Sequence, residues 1–143
     1  MDEELYQSLK DSIWAKSNPY KPLWMHLLET GVVAQLLLKE GSFRPLAGEL
    51  QRYLPLDEQQ VYRLAGYMAA VHDIGKAFPA FQQQAEESKS AAILIQAGLM
   101  CPDAKGFRHE IYGEAKLYRI WKEQGLFGGM RERHRLAAVI GKH

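Results

Sequence analysis

The residues best suited to chemistry are His72 and Asp73, which lie in the run Ala-Ala-Val-His-Asp-Ile-Gly-Lys at residues 69–76. The apolar pattern before the doublet predicts a helix that ends there. An imidazole beside a carboxylate on a rigid support offers one nitrogen and one oxygen ligand to a divalent metal. The doublet therefore predicts metal-assisted hydrolysis, with a phosphodiester as the favoured substrate bond.

Helical spacing places four of the five histidines on apolar, inward-facing stripes of separate predicted helices. The stripes are His26 with Thr30, Val33 and Leu37; His72 with Val61, Ala65 and Met68; His109 with Gly113, Leu117 and Ile120; and His143 with Leu136 and Val139. The fifth histidine, His134, is predicted to face outward on the last helix.

Two interpretations of these histidines stay open from spacing alone. A single histidine on an apolar stripe is most often a core residue bonded to a backbone carbonyl. Burying four imidazoles without shared partners is costly, however, and a common metal centre would satisfy them together. The chain has no short ligand motif such as His-Glu-x-x-His that would decide between the two.

The elements that must position these residues are predicted to be helical throughout, because no segment shows sustained strand alternation. Asp57 and Gln60 form an Asp variant of the capping box at the start of the helix that leads to the doublet. The other predicted helices are Asp2–Ala15, Leu23–Glu40, Pro45–Tyr53, Pro79–Ser88, Ser90–Met100, His109–Gln124 and Arg131–Lys142, with loops at Ser17–Pro22 and Cys101–Phe107. The predicted fold class is all-α.

Bulk properties fit one globular domain of 143 residues with a formal net charge of +1. The single cysteine, Cys101, excludes an internal disulfide and a cysteine-rich zinc cluster and favours a reducing cytoplasm. The N-terminus lacks the pattern of a signal peptide, and the longest apolar stretches are too short to span a bilayer. The sequence stops at His143 in a predicted helix with no capping residue, so we expect the chain to be cut from a longer protein.

Several strings, in a fixed order, carry a resemblance to a known family. They are Trp-Ala-Lys-Ser from Trp14, Pro-Leu from Pro22 followed by His-Leu-Leu-Glu from His26, His-Asp-Ile-Gly-Lys-Ala-Phe-Pro-Ala-Phe-Gln from His72, Phe-Arg-His-Glu from Phe107, and Ala-Ala-Val-Ile-Gly-Lys-His ending at His143. In these strings the chain resembles the HD nuclease domain of the nuclease-helicase of type I CRISPR systems. The resemblance runs from Trp14 to His143.

The resemblance implies a compact HD-domain bundle of roughly six to eight helices, C-terminally truncated, that cuts single-stranded DNA with one or two divalent metals. By the family's pattern His26, His72 and Asp73 hold the first metal. Asp73 bridges to the second, which takes His109 and His143. The family continues with a second histidine and a downstream aspartate that this chain lacks, so residues 1–143 are expected to be an incomplete nuclease domain, and this fragment could be inactive.

Individual roles follow from the same resemblance and from metal chemistry. Asp73 and Lys76 are the predicted catalytic residues, and mixed His/carboxylate ligation suits Mn, Fe, Co or Ni better than Mg. Lys76 and Arg108 are candidates for binding nucleic-acid phosphates. The alternative for both is a solvated cation on a helix. Phe78 and Phe81 are expected to pack the following helix rather than stack on bases.

The leading prediction is a metal-dependent endonuclease or exonuclease acting on single-stranded DNA in CRISPR antiviral defence. Its expected partners are the DNA, a helicase domain in cis or in trans, and a CRISPR surveillance complex, in the cytoplasm and without a membrane. The alternatives are an HD phosphohydrolase acting on nucleotides or cyclic nucleotides, and a metal-deficient, inactive interaction module.

Overall fold

The structure is a computed structural model that describes residues 3–85, 89–99, 101 and 104–141. Within these residues the regular secondary structure is helical apart from one small hairpin, which confirms the predicted all-α class. The helices are α1 (Glu3–Ser12), α2 (Leu23–Glu40), α3 (Arg44–Tyr53), α4 (Glu58–Val71), α5 (Pro79–Gln82), α6 (Lys89–Gln96), α7 (His109–Glu123) and α8 (Met130–Ile140), with a 3₁₀ turn at Ile74–Ala77. None of the described helices is long and apolar enough to cross a membrane.

The hairpin lies where the sequence analysis predicted the end of a helix and a loop. Helix α1 ends at Ser12, and two short antiparallel strands follow, β1 (Trp14–Ser17) and β2 (Tyr20–Pro22). Strands of four and three residues are too short to show a period-two pattern in the sequence. Their pairing is also irregular between Trp14 and Lys16, so the prediction of helix through Ala15 and loop after it was wrong.

The chain divides into two compact units, of which the first comprises Met1–Trp24 and His72–His143. In this unit α7 packs against α8 and against the 3₁₀ turn. The hydrophobic residues of these two helices that are at most 2% exposed are Leu117 and Trp121 on α7 and Ala137 and Ile140 on α8. Gly113 and Leu117 are buried on the same face of α7 as His109, as predicted from their spacing.

The second unit comprises Met25–Val71 and contains most of α2 together with α3 and α4. Its core consists of Leu38, Ala47, Val61 and Tyr62. Helices α2 and α4 come close enough that a Cβ added to Gly31 would lie 2.8 Å from the carbonyl oxygen of Gly66. Glycine at position 31 therefore permits backbone contact between the two helices.

Two of the predicted apolar stripes are not buried as expected. On α2, Val33 and Leu37 are 52% and 40% exposed, and on α8 Val139 is 63% exposed while Ala137 and Ile140 are buried. Both helices carry apolar residues on more than one face, so their spacing does not determine which face packs. The predicted inward faces of α2 and α8 were therefore wrong in part.

The start of α4 confirms the capping box and gives a direct stability test. The backbone N–H of Gln60 donates to Asp57 Oδ1 and that of Asp57 donates to Gln60 Oε1, both at 2.8 Å.

Replacing Asp57 with alanine removes the acceptor, so we expect the free energy of unfolding to fall by about 1 kcal/mol, measured by urea denaturation. Asp57→Asn should retain most of it, and an equal loss in both variants would contradict the cap.

Candidate metal centre

The predicted catalytic carboxylate occupies the junction between α4 and the 3₁₀ turn. His72 directly follows the last residue of α4, and Asp73 is the residue before Ile74, the first of the turn. The backbone N–H of Lys76 donates to the carbonyl of Asp73 at 2.9 Å, which closes the turn around the site. Asp73 is only 6% exposed, so its carboxylate is withdrawn from bulk water.

Three basic side chains surround the Asp73 carboxylate. The Nζ of Lys76 lies 2.7 Å and Nε2 of His72 lies 3.1 Å from Oδ2. The Nε2 of His109 lies 3.1 Å from Oδ1, although His109 is 36 residues further along the chain. Of the predicted site residues, the structure thus brings His72, Asp73, Lys76 and His109 together.

The electrostatics of this cluster keep the carboxylate charged. Burial of Asp73 acts to raise its pKa, because the charged form loses solvation. Hydrogen bonds and charge from His72 and Lys76 act in the opposite direction and outweigh it, so the pKa of Asp73 lies well below its ordinary range. Asp73 is therefore an anion at neutral pH, as a metal ligand must be.

His109 reaches Asp73 because of a glycine contact between two elements. A Cβ added to Gly75 would overlap the carbonyl oxygen of His109 and lie 2.9 Å from the backbone nitrogen of Gly113. Any side chain at position 75 would therefore push the 3₁₀ turn away from the first turn of α7. The absence of a Cβ at Gly75 therefore permits the close approach of the first turn of α7, which carries His109, to the turn that follows Asp73.

The ring of His109 is further oriented by its neighbours. Phe81 meets it edge-on with ring centroids 5.0 Å apart, and the Nδ1 atom lies 3.7 Å from Oε1 of Glu110. A carboxylate near the second ring nitrogen is a common way to orient a metal-binding histidine. Sequence analysis gave Glu110 no role, although its place directly after His109 was visible.

The aromatic residues around the site pack against one another, as expected. Phe81 is buried against Trp14 with centroids 4.7 Å apart. Phe78 contacts Phe107 and Tyr112 at centroid distances of 5.9 and 5.5 Å. These contacts support the packing role predicted for Phe78 and Phe81.

The remaining residues with predictions from the sequence are Arg108, His26, His143 and His134. Arg108 immediately precedes α7 with a side chain that is 61% exposed, and its nucleic-acid role stays a prediction. His26 lies on α2, half-buried, and most of that helix belongs to the second unit. His143 lies outside the described residues. His134 is exposed, as predicted, and stacks on Tyr118.

The donor set fits a divalent transition metal. One ionised, buried carboxylate lies within 3.1 Å of imidazole nitrogens from two different parts of the chain. Mixed nitrogen and oxygen donors suit Mn, Fe, Co or Ni better than Mg, which prefers oxygen ligands. In the structure Lys76 supplies the closest positive charge to Asp73.

The helical fold and the adjacent His72 and Asp73, of which Asp73 is buried, are those of an HD-type domain. Residues 14–143 match the protein family described as Cas3, HD domain. Because this match covers most of the sequence, the chain belongs to the Cas3 HD-domain family.

The chain is also similar to a short stretch of two much longer curated relatives. It is 35% identical over 134 residues to the CRISPR-associated endonuclease/helicase Cas3 of Thermus thermophilus, a match that covers 92% of this chain and 14% of that protein. It is 37% identical over 98 residues to the CRISPR-associated nuclease/helicase Cas3 of Streptococcus thermophilus, covering 62% of this chain and 10% of that protein. The chain thus spans only a small part of either relative. No solved structure gives a significant match.

Proposed function

We propose that this chain is the nuclease part of a CRISPR interference protein and hydrolyses phosphodiester bonds of single-stranded DNA with one or two divalent metals. The observation that carries the proposal is the Asp73 carboxylate, buried and contacted by His72, Lys76 and His109. Family membership and the nuclease activity named for both relatives support the same reaction.

Different side chains of the chain have separate roles in the proposed hydrolysis. A bound divalent metal would lower the pKa of a water molecule and neutralise charge on the phosphate. Asp73 would supply the anionic ligand, and His72 and His109 would supply nitrogen ligands. Glu110 helps to fix the ring of His109. The roles of His26 and His143 as further ligands stay predictions from sequence.

Lys76 is the proposed phosphate-binding group. Its ammonium is held 2.7 Å from Asp73, and its side chain is only 16% exposed. A fixed positive charge at a partly dehydrated site stabilises charge that develops on phosphoryl oxygens more strongly than a solvated one. Arg108, with its exposed guanidinium, is proposed to bind the DNA backbone further from the reacting bond.

The wider setting is proposed from the relatives. Both are named as proteins that combine a nuclease with a helicase. We propose that residues 14–143 form an HD nuclease domain. It would work in the cytoplasm beside a helicase domain, in cis or in trans, recruited by a CRISPR surveillance complex.

Circular single-stranded DNA is the substrate that tests this function, because it offers no ends to a contaminating exonuclease. We expect the purified protein to linearise and then degrade it when Mn²⁺ or Ni²⁺ is added. Excess EDTA should abolish cleavage, and renewed addition of metal should restore it. Gel analysis of the DNA gives the result directly.

Three outcomes of this assay and of parallel nucleotide-hydrolysis and metal-binding assays would contradict the proposal. Cleavage that continues unchanged in EDTA would exclude a metal-dependent reaction. Hydrolysis of nucleotides or cyclic nucleotides under conditions that leave DNA intact would replace the nuclease with an HD phosphohydrolase. Saturable metal binding with no hydrolysis of any of these substrates would favour an inactive interaction module.

A further inference from the structure

A fully buried glutamine lies behind the candidate metal centre. Gln82, the last residue of α5, is 0% exposed. Its Nε2 donates to the carbonyls of Trp14 at 2.9 Å and Lys76 at 2.6 Å. Its Oε1 accepts from the backbone N–H of Trp14 at 2.9 Å and from the hydroxyl of Ser90 at 2.8 Å. Both amide donors and both acceptor positions of the side chain are thus used.

The bond to Lys76 has a cause that can be read from the sequence. In a 3₁₀ turn the carbonyl of residue i accepts from the N–H of residue i+3. For Lys76 that residue is Pro79, which has no N–H. A buried carbonyl without a donor is costly, and the side chain of Gln82 supplies the missing donor.

The hydrogen bond from Gln82 to Lys76 links Gln82 to the Asp73–Lys76 pair through the backbone of a single residue. The backbone of Lys76 receives a hydrogen bond from Gln82 at its carbonyl and donates one from its N–H to the carbonyl of Asp73. The same residue carries the ammonium that pairs with the Asp73 carboxylate. A shift of the Lys76 backbone would therefore move both members of that pair.

We propose that Gln82 is a positioning residue for the metal centre. It fixes the 3₁₀ turn by bonding to Lys76, so that the Lys76 ammonium and the Asp73 carboxylate keep their places for metal and phosphate. The inference rests on the proposed nuclease function. The same side chain also links the turn to β1, because Trp14 and Gln82 are bonded to each other.

The test compares Gln82→Met with Ser90→Ala. Methionine has a similar volume but makes none of the four bonds. Ser90→Ala removes one buried bond to the same amide and leaves its bond to Lys76 intact. Ser90 is 0% exposed, so Ser90→Ala also disturbs the buried hydrogen bonds around Gln82. This control therefore shows how much a loss of stability alone lowers activity. Melting temperatures establish that each variant is folded, and Gln82→Glu replaces Gln82→Met if the latter does not fold.

The activity readout is the split between kcat and KM for single-stranded DNA at saturating Mn²⁺. We expect Gln82→Met to lower kcat at least about tenfold with KM within about twofold of wild type, as for loss of an outer-shell partner. Ser90→Ala should stay within about threefold in kcat. In a Lys76→Met background, Gln82→Met should cause little further loss, because the two changes act on one unit. The inference would be overturned if Gln82→Met and Ser90→Ala lowered kcat equally. It would also be overturned if the effects of Gln82→Met and Lys76→Met on kcat multiplied in the double variant.

The second readout is Mn²⁺ affinity by titration calorimetry, which does not require activity. We expect Gln82→Met to bind Mn²⁺ about tenfold more weakly than Ser90→Ala. If the wild-type protein cuts no DNA, the proposed nuclease function fails, while this comparison still tests the positioning role. Equal Mn²⁺ affinity of the two variants would then overturn it.

Discussion

Asp73→Asn is expected to lower the rate of single-stranded DNA cleavage at saturating Mn²⁺ by at least about 10³-fold. Asparagine keeps the shape of the side chain but carries no negative charge. In the wild-type protein that charge is contacted by the ring nitrogens of His72 and His109 and by the ammonium of Lys76. The metal would lose its anionic ligand and Lys76 its partner. Single-turnover cleavage assays and Mn²⁺ titrations measure the two consequences separately.

The matched control is the same substitution at a distant position. Asp57→Asn keeps a good helix cap at the start of α4, so we expect cleavage and Mn²⁺ affinity to remain at wild-type levels. Cleavage by Asp73→Asn within tenfold of wild type would show that Asp73 is not the anionic ligand. A large loss in both variants would show that the effect is not specific to the site.

Gly75→Ala is expected to have the second-largest effect, although it adds only one methyl group. The new Cβ would overlap the carbonyl oxygen of His109, which belongs to the backbone and cannot rotate away. We expect the free energy of unfolding to fall by about 1–3 kcal/mol. Cleavage should fall about 100-fold, because His109 would move relative to Asp73. Urea denaturation and cleavage rates give both values.

Gly48→Ala is the matched control for this steric argument. Gly48 lies inside α3, and a Cβ added there would meet nothing within 4 Å. Alanine is the better helix former, so this variant should be more stable by up to about 1 kcal/mol, with unchanged cleavage. If Gly75→Ala were as stable and as active as Gly48→Ala, the close contact between the 3₁₀ turn and α7 would not exist in solution.

Local signals in the sequence were sufficient to predict where several helices begin or end. The bounds of α2, Leu23–Glu40, follow from an apolar run that ends just before Gly41, and α4 begins at the predicted Asp57 cap. Both depend on interactions within a few residues, which a sequence displays directly. The hairpin at Trp14–Pro22 was missed because its strands are too short to show a period-two pattern, and because the bonds between Trp14 and Gln82 join residues far apart in sequence.

The residue types of the candidate site could be predicted from the sequence, but the contacts that hold them in place could not. The doublet His72–Asp73 and the stripe on α7 identified three of the clustered groups, and the resemblance added Lys76. Spacing could not reveal that Gly75 permits the approach of α7 or that Gln82 completes the turn. Both effects arise between segments that are distant in sequence. Pro79, which deprives Lys76 of a donor, was the one local clue.

The most direct test of the central claim is to locate bound metal in crystals of the protein soaked with Mn²⁺. We expect an anomalous scattering peak bonded to the carboxylate of Asp73 and to Nε2 of His72 or His109, and no such peak in Asp73→Asn crystals. A wild-type crystal with Mn²⁺ bound only elsewhere, and Asp73 still paired with Lys76, would contradict the account.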